Sequence, residues 1–179
     1  FVTKRIKLSK SDAIQVLNKL SPTIKSEIKN YLGTNLYCTE YDAVTAGNQT
    51  AFDGSYQAHH DQRGRRIKIF VYVKDSAEDS HPLFYLIGSH QKFKKWTSYK
   101  DTRFINIERD QMFKFIGKKG DVAFFDTHGL HSHNKLDSGL RCIIKLVIEN
   151  FSYYNNLYFK SSKAQLYLKQ NEAIRIDFI

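Results

Sequence analysis

The chain has 179 residues, 41% of them hydrophobic and 26% charged, which excludes a disordered chain and leaves room for one real core. No apolar run is long enough to cross a bilayer as a helix. The two cysteines, Cys38 and Cys142, lie in apolar strand-like runs, which excludes a disulfide framework and points to a reducing, cytoplasmic compartment. The net charge is +10. A composition rich in Lys, Asn, Ile, Phe and Tyr, as a low-GC genome encodes, is one source of it, and an anionic partner is the other.

The chain opens at Phe1 without a Met, so an N-terminal part is expected to be missing or trimmed. Residues 1–8 read as a short strand or lead-in. Ser9 or Ser11 can cap a helix to about Leu20, with Ile14, Val16, Leu17 and Leu20 as its apolar side. Ser21 and Pro22 start a second helix that presents Ile24, Ile28 and Leu32 and ends at Gly33. From Leu36 the texture changes to strands. Leu36 to Ala46 is one, followed by turn signals at Gly47-Asn48 and Asp53-Gly54. Ser55 to His60 is a second, and a polar loop runs from Asp61 to Arg66. Arg66 to Lys74 is the clearest strand: Ile67, Ile69, Val71 and Val73 alternate with Lys68, Phe70 and Tyr72, apolar enough on both faces to be central.

Pro82 to Ile87 is a short strand ending at Gly88-Ser89-His90. Residues 91–110 form a basic, aromatic excursion around the sole tryptophan, Trp96; a loop of this length is often functional. Gln111 to Ile116 and Asp121 to Thr127 are strands. The second feeds the His128 to His133 segment, and a predicted hairpin turn over Asn134 to Gly139 leads into a long strand from Leu140 to Asn150. The tail from Phe151 reads as a polar stretch followed by a helix. Helices in front of many short strands, with none between them, predict a mainly β (α+β) jelly roll, a double-stranded β-helix. A single domain over 1–179 is expected, with helices over about 9–33, the core over about 35–150 and a tail over 151–179.

All 7 histidines fall between His59 and His133, so a site is sought there. His59 and Asp61 are two apart, and on a strand such side chains share a face. With His131 on a neighbouring strand they would form a 2-His-1-carboxylate set, which suits non-haem Fe(II) and leaves coordination positions open. His60 should point to the opposite face, although a one-residue change of register would make it the ligand instead. Arg141, at the start of the strand after His131, is the candidate for holding an acidic co-substrate, since a guanidinium grips a carboxylate with two parallel hydrogen bonds. Lys68 and Tyr72 share a face of the central strand and are candidates for lining that pocket, though packing and pairing explain them as well.

These stretches, in order, resemble the phytanoyl-CoA dioxygenase family: HHD (59–61), RIKIFVYVKD (66–75), HPLFYLIGSHQ (81–91) and GDVAFFDTHGLHSHNKLDSGLR (120–141). The resemblance covers about residues 55–150. It implies an oxygenase that uses Fe(II), 2-oxoglutarate and dioxygen, with His59, Asp61 and His131 on the metal and Arg141 on the co-substrate. It also implies hydroxylation, because related halogenases replace the carboxylate with a small residue and here Asp61 is present. Two positions depart from the pattern: Ile87 stands where proline is usual, and His133 stands where a small hydroxyl residue is common, which makes His133 a further pocket candidate. The expected substrate is a small or carrier-linked metabolite, and the positive excess hints at an anionic one. The rival expectations are an oxidative demethylase acting on nucleic acid through the Trp96 excursion and a jelly-roll module that binds metal without turnover.

Overall fold

The computed structural model describes residues 4–46, 58–61, 66–76, 82–91, 107–133, 140–151, 168–170 and 172–178. Residues 47–57 with the start of the predicted strand before His59, the polar stretch 62–65, the excursion around Trp96, His81, most of the tail and the predicted turn at 134–139 lie outside these residues.

A short strand, β1 (Lys4–Lys7), leads into α1 (Lys10–Lys19), where the Ser9 hydroxyl accepts a hydrogen bond from the Asp12 amide. Ser21 caps α2 (Pro22–Leu32) by accepting from the Ile24 amide. Such caps contribute about 1 kcal/mol each. Gly33 closes α2 at φ 84°, a backbone conformation that costs glycine little. The buried line of α1 differs from the expected one: Ala13, Leu17 and Leu20 are inside, and Ile14 is 42% exposed. Positions 13, 17 and 20 follow the helical repeat, while Ile14 is turned about 100° from Ala13 around the axis.

Two sheets follow. The larger has the order β1-β2-β8-β3-β6, formed with β2 (Leu36–Ala46), β3 (Arg66–Tyr72), β6 (Val122–Asp126) and β8 (Arg141–Asn150). The smaller has the order β5-β4-β7, from β4 (Leu83–Tyr85), β5 (Phe113–Phe115) and β7 (His131–His133). An antiparallel bridge from His59 to His131 extends the small sheet beyond β7. The chain passes from one sheet to the other between β3 and β4, β5 and β6, β6 and β7, and β7 and β8, which is a jelly roll. β3 pairs with β8 and β6, so it is central, as its alternation implies.

Two expectations are corrected. β7 and β8 are not a hairpin: β8 is hydrogen-bonded on its two edges to β2 and β3, and β7 pairs with β4 in the other sheet. The described end of the tail is not helix throughout, because β9 (Ile174–Ile176) pairs with Leu36 to Cys38 of β2. Ile174 and Ile176 alternate with Arg175, and Ile176 and Phe178 join the core beneath the helices.

The large sheet has two unlike faces. Its outer face carries Leu36, Cys38, Tyr41, Ile67, Ile69, Leu146 and Ile148 against Ala13, Leu17, Ile28 and Leu32 of the helices. Burial here pushes the Cys38 thiol up to about 12, so it stays protonated and inert. The inner face is apolar at one end, where Val44, Phe70, Tyr72, Phe125 and Ile143 meet Leu83 of the small sheet. The alternating positions at the other end are charged: Glu40 and Asp42 on β2, Arg66 and Lys68 on β3, and Lys145 and Glu149 on β8. Among the described residues, no helix is long and apolar enough to cross a membrane.

Candidate metal centre

His59, Asp61 and His131 come together at the charged end of the barrel. One ligand atom from each lies within 4.8 Å of the others, and all three residues are buried. The backbone bridge between His59 and His131 is closed from both sides, His59 N to His131 O at 3.0 Å and His131 N to His59 O at 2.8 Å. Their rings lie 4.4 Å apart between centroids. The Asp61 amide donates to the Thr127 carbonyl at 2.8 Å, so the stretch before β3 is tied to the loop that delivers His131.

His131 is set up as a donor. Its Nδ1 lies 2.9 Å from the Gly129 carbonyl, and a carbonyl only accepts, so Nδ1 carries the proton and Nε2 a lone pair. That Nε2 is buried with no hydrogen-bond partner among the described residues. Burial, the Lys68 ammonium and the neighbouring His59 push the imidazole well below its ordinary range, outweighing Asp61 and Gly129. A neutral imidazole aiming a buried, unused lone pair at another imidazole and a carboxylate fits a divalent transition-metal ion.

Asp61 stays ionised. Burial alone would raise its carboxyl, but the Lys68 ammonium and the Arg66 guanidinium hold it well below the usual carboxylate range. Lys68 Nζ is 2.8 Å and Arg66 Nη2 2.5 Å from Asp61 Oδ2. Lys68 is therefore paired with the carboxylate. Its own pKa is lowered, because burial outweighs Asp61.

Arg141 enters from the first position of β8, and although β7 and β8 are not a hairpin it still meets β7 across the gap between the sheets. Its Nη1 donates to His133 Nδ1 at 2.7 Å, and its guanidinium lies over the Phe70 ring, 5.5 Å from the centroid. His133 stacks on the same ring. Burial and Arg141 lower the His133 pKa well below the ordinary value, so His133 is neutral and accepts. Tyr72, two residues beyond Phe70, is fully buried, and its hydroxyl has no hydrogen-bond partner among the described residues. Burial raises it to about 12, against the pull of Arg141. His60 is turned away from the triad toward His128, with ring centroids 5.9 Å apart.

The loop from Asp126 to His131 is clamped on several sides. Tyr31 of α2 donates to Asp126 Oδ2, and Tyr85 donates to the Asp126 carbonyl at 3.1 Å. Ser89, from the Gly-Ser-His turn, donates to the Leu86 carbonyl at 2.6 Å and accepts from the Leu130 amide at 2.8 Å. Gly129 is the tightest point: a Cβ there would sit 2.1 Å from the Tyr85 hydroxyl and 2.5 Å from its ring. Replacing Gly129 with alanine must therefore displace Tyr85 or move the carbonyl that orients His131. The expected result of Gly129→Ala is weaker Co(II) binding by about 10- to 100-fold, the loss typical when the partner orienting a ligand is disturbed, with partial recovery in Gly129→Ala/Tyr85→Ala. Calorimetric titration of the metal-free proteins would check it, and unchanged affinity in the single variant would count against this clamp.

The sequence reading missed Arg66, Glu40, Lys145, Glu149 and Ser89. A signal for the first four was present: charges share one face of strands that are otherwise largely apolar, at 40 and 42 on β2, at 66 and 68 on β3, and at 145 and 149 on β8 with Val147 between them, which marks a polar lumen rather than a solvated surface.

No protein-family model matches the chain, and no curated protein matches its sequence. Solved structures do resemble it. The epimerase SnoN in complex with Fe3+, alpha ketoglutarate and nogalamycin RO has a TM-score of 0.60 at 16% identity over 83% of this chain. EvdO2 from Micromonospora carbonacea var. aurantiaca, complexed with 2-oxoglutarate, gives 0.58 at 16% identity over 82% of this chain and 66% of its own. HygX from Streptomyces hygroscopicus, with nickel, 2-oxoglutarate and hygromycin B bound, gives 0.54 at 17% identity over 82% of this chain and 69% of its own. The chain spans 64% of the length of the SnoN structure. At these identities the likeness is one of fold, the double-stranded β-helix.

Proposed function

We propose that the protein is an Fe(II)- and 2-oxoglutarate-dependent oxygenase acting on a small metabolite. The observation that carries this reading is the buried Nε2 of His131, which has no hydrogen-bond partner among the described residues and faces His59 and Asp61, with Arg141 held deeper in the same barrel. His59, Asp61 and His131 would hold the metal. Arg141 would grip the distal carboxylate of the co-substrate, and Tyr72 offers that end a buried hydroxyl that has no partner among the described residues. Fe(II) held there would let dioxygen act as the oxidant, with 2-oxoglutarate giving up two electrons as it becomes succinate and carbon dioxide and the substrate C–H bond giving up the other two.

The chain's own residues do the positioning. His133 accepts from Arg141 and Phe70 floors it, so the guanidinium is aimed before any ligand enters, which lowers the entropy lost on binding. Phe70, Phe125 and Leu83 wall the deep end with apolar surface and keep water from competing for Arg141. The solved structures of similar fold support the cofactor pair, since two of them hold iron or nickel with the 2-oxo acid. Hydroxylation is the outcome assigned here, because the carboxylate Asp61 is retained; the epimerase among those structures makes the product the point to test. A substrate of natural-product size suits the neighbours, which bind nogalamycin RO and hygromycin B. The nucleic-acid reading depends on the excursion around Trp96, which lies outside the described residues.

The test is an anaerobic titration of metal-free protein with Fe(II) and then 2-oxoglutarate, followed in the visible spectrum. Chelation of the keto acid is expected to produce a weak charge-transfer band. Arg141→Ala is expected to need on the order of 100-fold more co-substrate for the same band, since a charge-assisted bidentate contact is worth about 1.5–3 kcal/mol. Iron binding without a band in the wild type would sink the oxygenase reading in favour of a metal-binding module.

A further inference from the structure

Arg66 is none of the proposed ligands, yet it bonds both to Asp61 and to the segment that leads to His131. Its Nη2 donates to Asp61 Oδ2 at 2.5 Å and its Nε to Thr127 Oγ1 at 3.0 Å. Its Nη1 faces Glu149 Oε1 at 3.5 Å and Glu40 Oε1 at 3.7 Å. Its backbone carbonyl accepts from the Thr127 amide at 3.2 Å. The guanidinium is buried, with its side chain 7% exposed, and Thr127 is 0% exposed. Asp61 in turn donates its amide to the Thr127 carbonyl. The segment bearing Asp61 and the segment leading to His131 are thus closed into one ring through Arg66, and β2 and β8 fix the guanidinium from behind with Glu40 and Glu149.

The geometry uses the shape of arginine as well as its charge. Nε and Nη2 lie on one edge of a rigid planar fork and reach two different partners at a fixed spacing, whereas the donors of an ammonium all radiate from one nitrogen on a flexible stem. Both cations that pair with Asp61, Arg66 and Lys68, do so through Oδ2. That leaves Oδ1 as the oxygen that carries no ion pair among the described residues.

We propose that Arg66 is the positioning residue of the metal centre: it holds Asp61 as a one-oxygen donor and locks the Asp61 and His131 segments in register before a metal arrives. This rests on the metal-centre reading above. A merely structural Arg66 would serve only to balance Glu40, Glu149 and Asp61, and for that purpose a lysine would do as well.

The test is Co(II) titration of metal-free wild type, Arg66→Lys and Thr127→Val, read by visible absorption for affinity and for the intensity of the metal's d–d bands, with near-UV circular dichroism and melting temperature as the check on folding. Arg66→Lys keeps the charge but loses the fork, and Thr127→Val removes the acceptor that fixes Nε while removing no charge. Both are expected to fold, to bind Co(II) about 10- to 100-fold more weakly, and to show altered band intensity. Wild-type affinity and bands in folded Arg66→Lys would overturn the proposal, because charge balance would then suffice. If Arg66→Lys fails to fold, Thr127→Val decides alone, and unchanged affinity there overturns it too. A wild type that binds no Co(II) would instead bring down the metal-centre reading and this proposal with it.

Discussion

His131→Ala is expected to abolish metal binding, with an affinity loss beyond the roughly 100-fold that disturbing an outer partner produces. Among the described residues, the two imidazoles nearest in sequence to the ligands are otherwise engaged. His133 has its Nδ1 committed to Arg141, and His60 is turned toward His128. The charge-transfer band with Fe(II) and 2-oxoglutarate should vanish with it. The same variant should change the response of the metal-free protein to acid. His131 and His133 have folded-state pKa values well below 6.5, so below about pH 6.5 the unfolded chain takes up protons that the folded chain refuses. Stability is therefore fully present above that pH and declines as pH falls. His131→Ala removes one of the two groups, and its urea midpoint should fall less steeply between pH 7.5 and pH 5 than that of wild type. Equal slopes would mean that His131 is not held neutral, and retained Co(II) affinity would remove it from the ligand set.

The second large effect is expected at Asp61. Asp61→Ala removes a proposed ligand and also leaves Lys68 and Arg66 facing one another around a missing carboxylate. Breaking a buried ion pair from one side costs about 3–5 kcal/mol. The lower end applies here, because Glu40 and Glu149 still neutralise Arg66 and Lys68 can release its proton. The sign with pH follows from the depressed carboxyl of Asp61. Its contribution is present above the unfolded value near pH 4 and is lost as pH falls toward the folded value. Wild type should therefore exceed Asp61→Ala in urea midpoint at pH 7, and the gap should narrow at pH 3.5. Matching midpoints for the two metal-free proteins at pH 7 would show that the ion pairs on Asp61 add nothing to stability.

Local chemistry made much of this legible beforehand. The caps at Ser9 and Ser21, the stop at Gly33 and the strands at β2 and β3 follow from hydroxyls, a glycine and alternation that act over a few residues. The period of two that put His59 and Asp61 on one face, and His60 on the other, is equally local. What was not legible depends on partners far apart in the chain. Whether β7 pairs with β8 or β4 is decided by which edges of β8 are already taken, and β2 and β3 take both. Arg66 read as the end of a polar loop because a lone arginine carries no sign of being inside; its burial makes sense only when Glu40 and Glu149 arrive from β2 and β8. Ser89 likewise looked like part of a turn, and its grip on the Leu130 amide exists only once β4 lies beside β7. The tail strand β9 has only three residues, too few for its alternation to stand out.

The unlike faces of the large sheet separate what keeps the molecule folded from what gives it chemistry. The helix-covered face alone carries a continuous dry contact from Ala13 through Ile69 to Leu146, so it is the part whose amides should exchange last with solvent. The charged end of the lumen face is held by ion pairs that can be traded in matched sets, one cation with one anion, without thinning that contact. Such an arrangement gives evolution latitude: the barrel's interior can be rewritten for a different guest while the side that bears the mechanical load stays as it is.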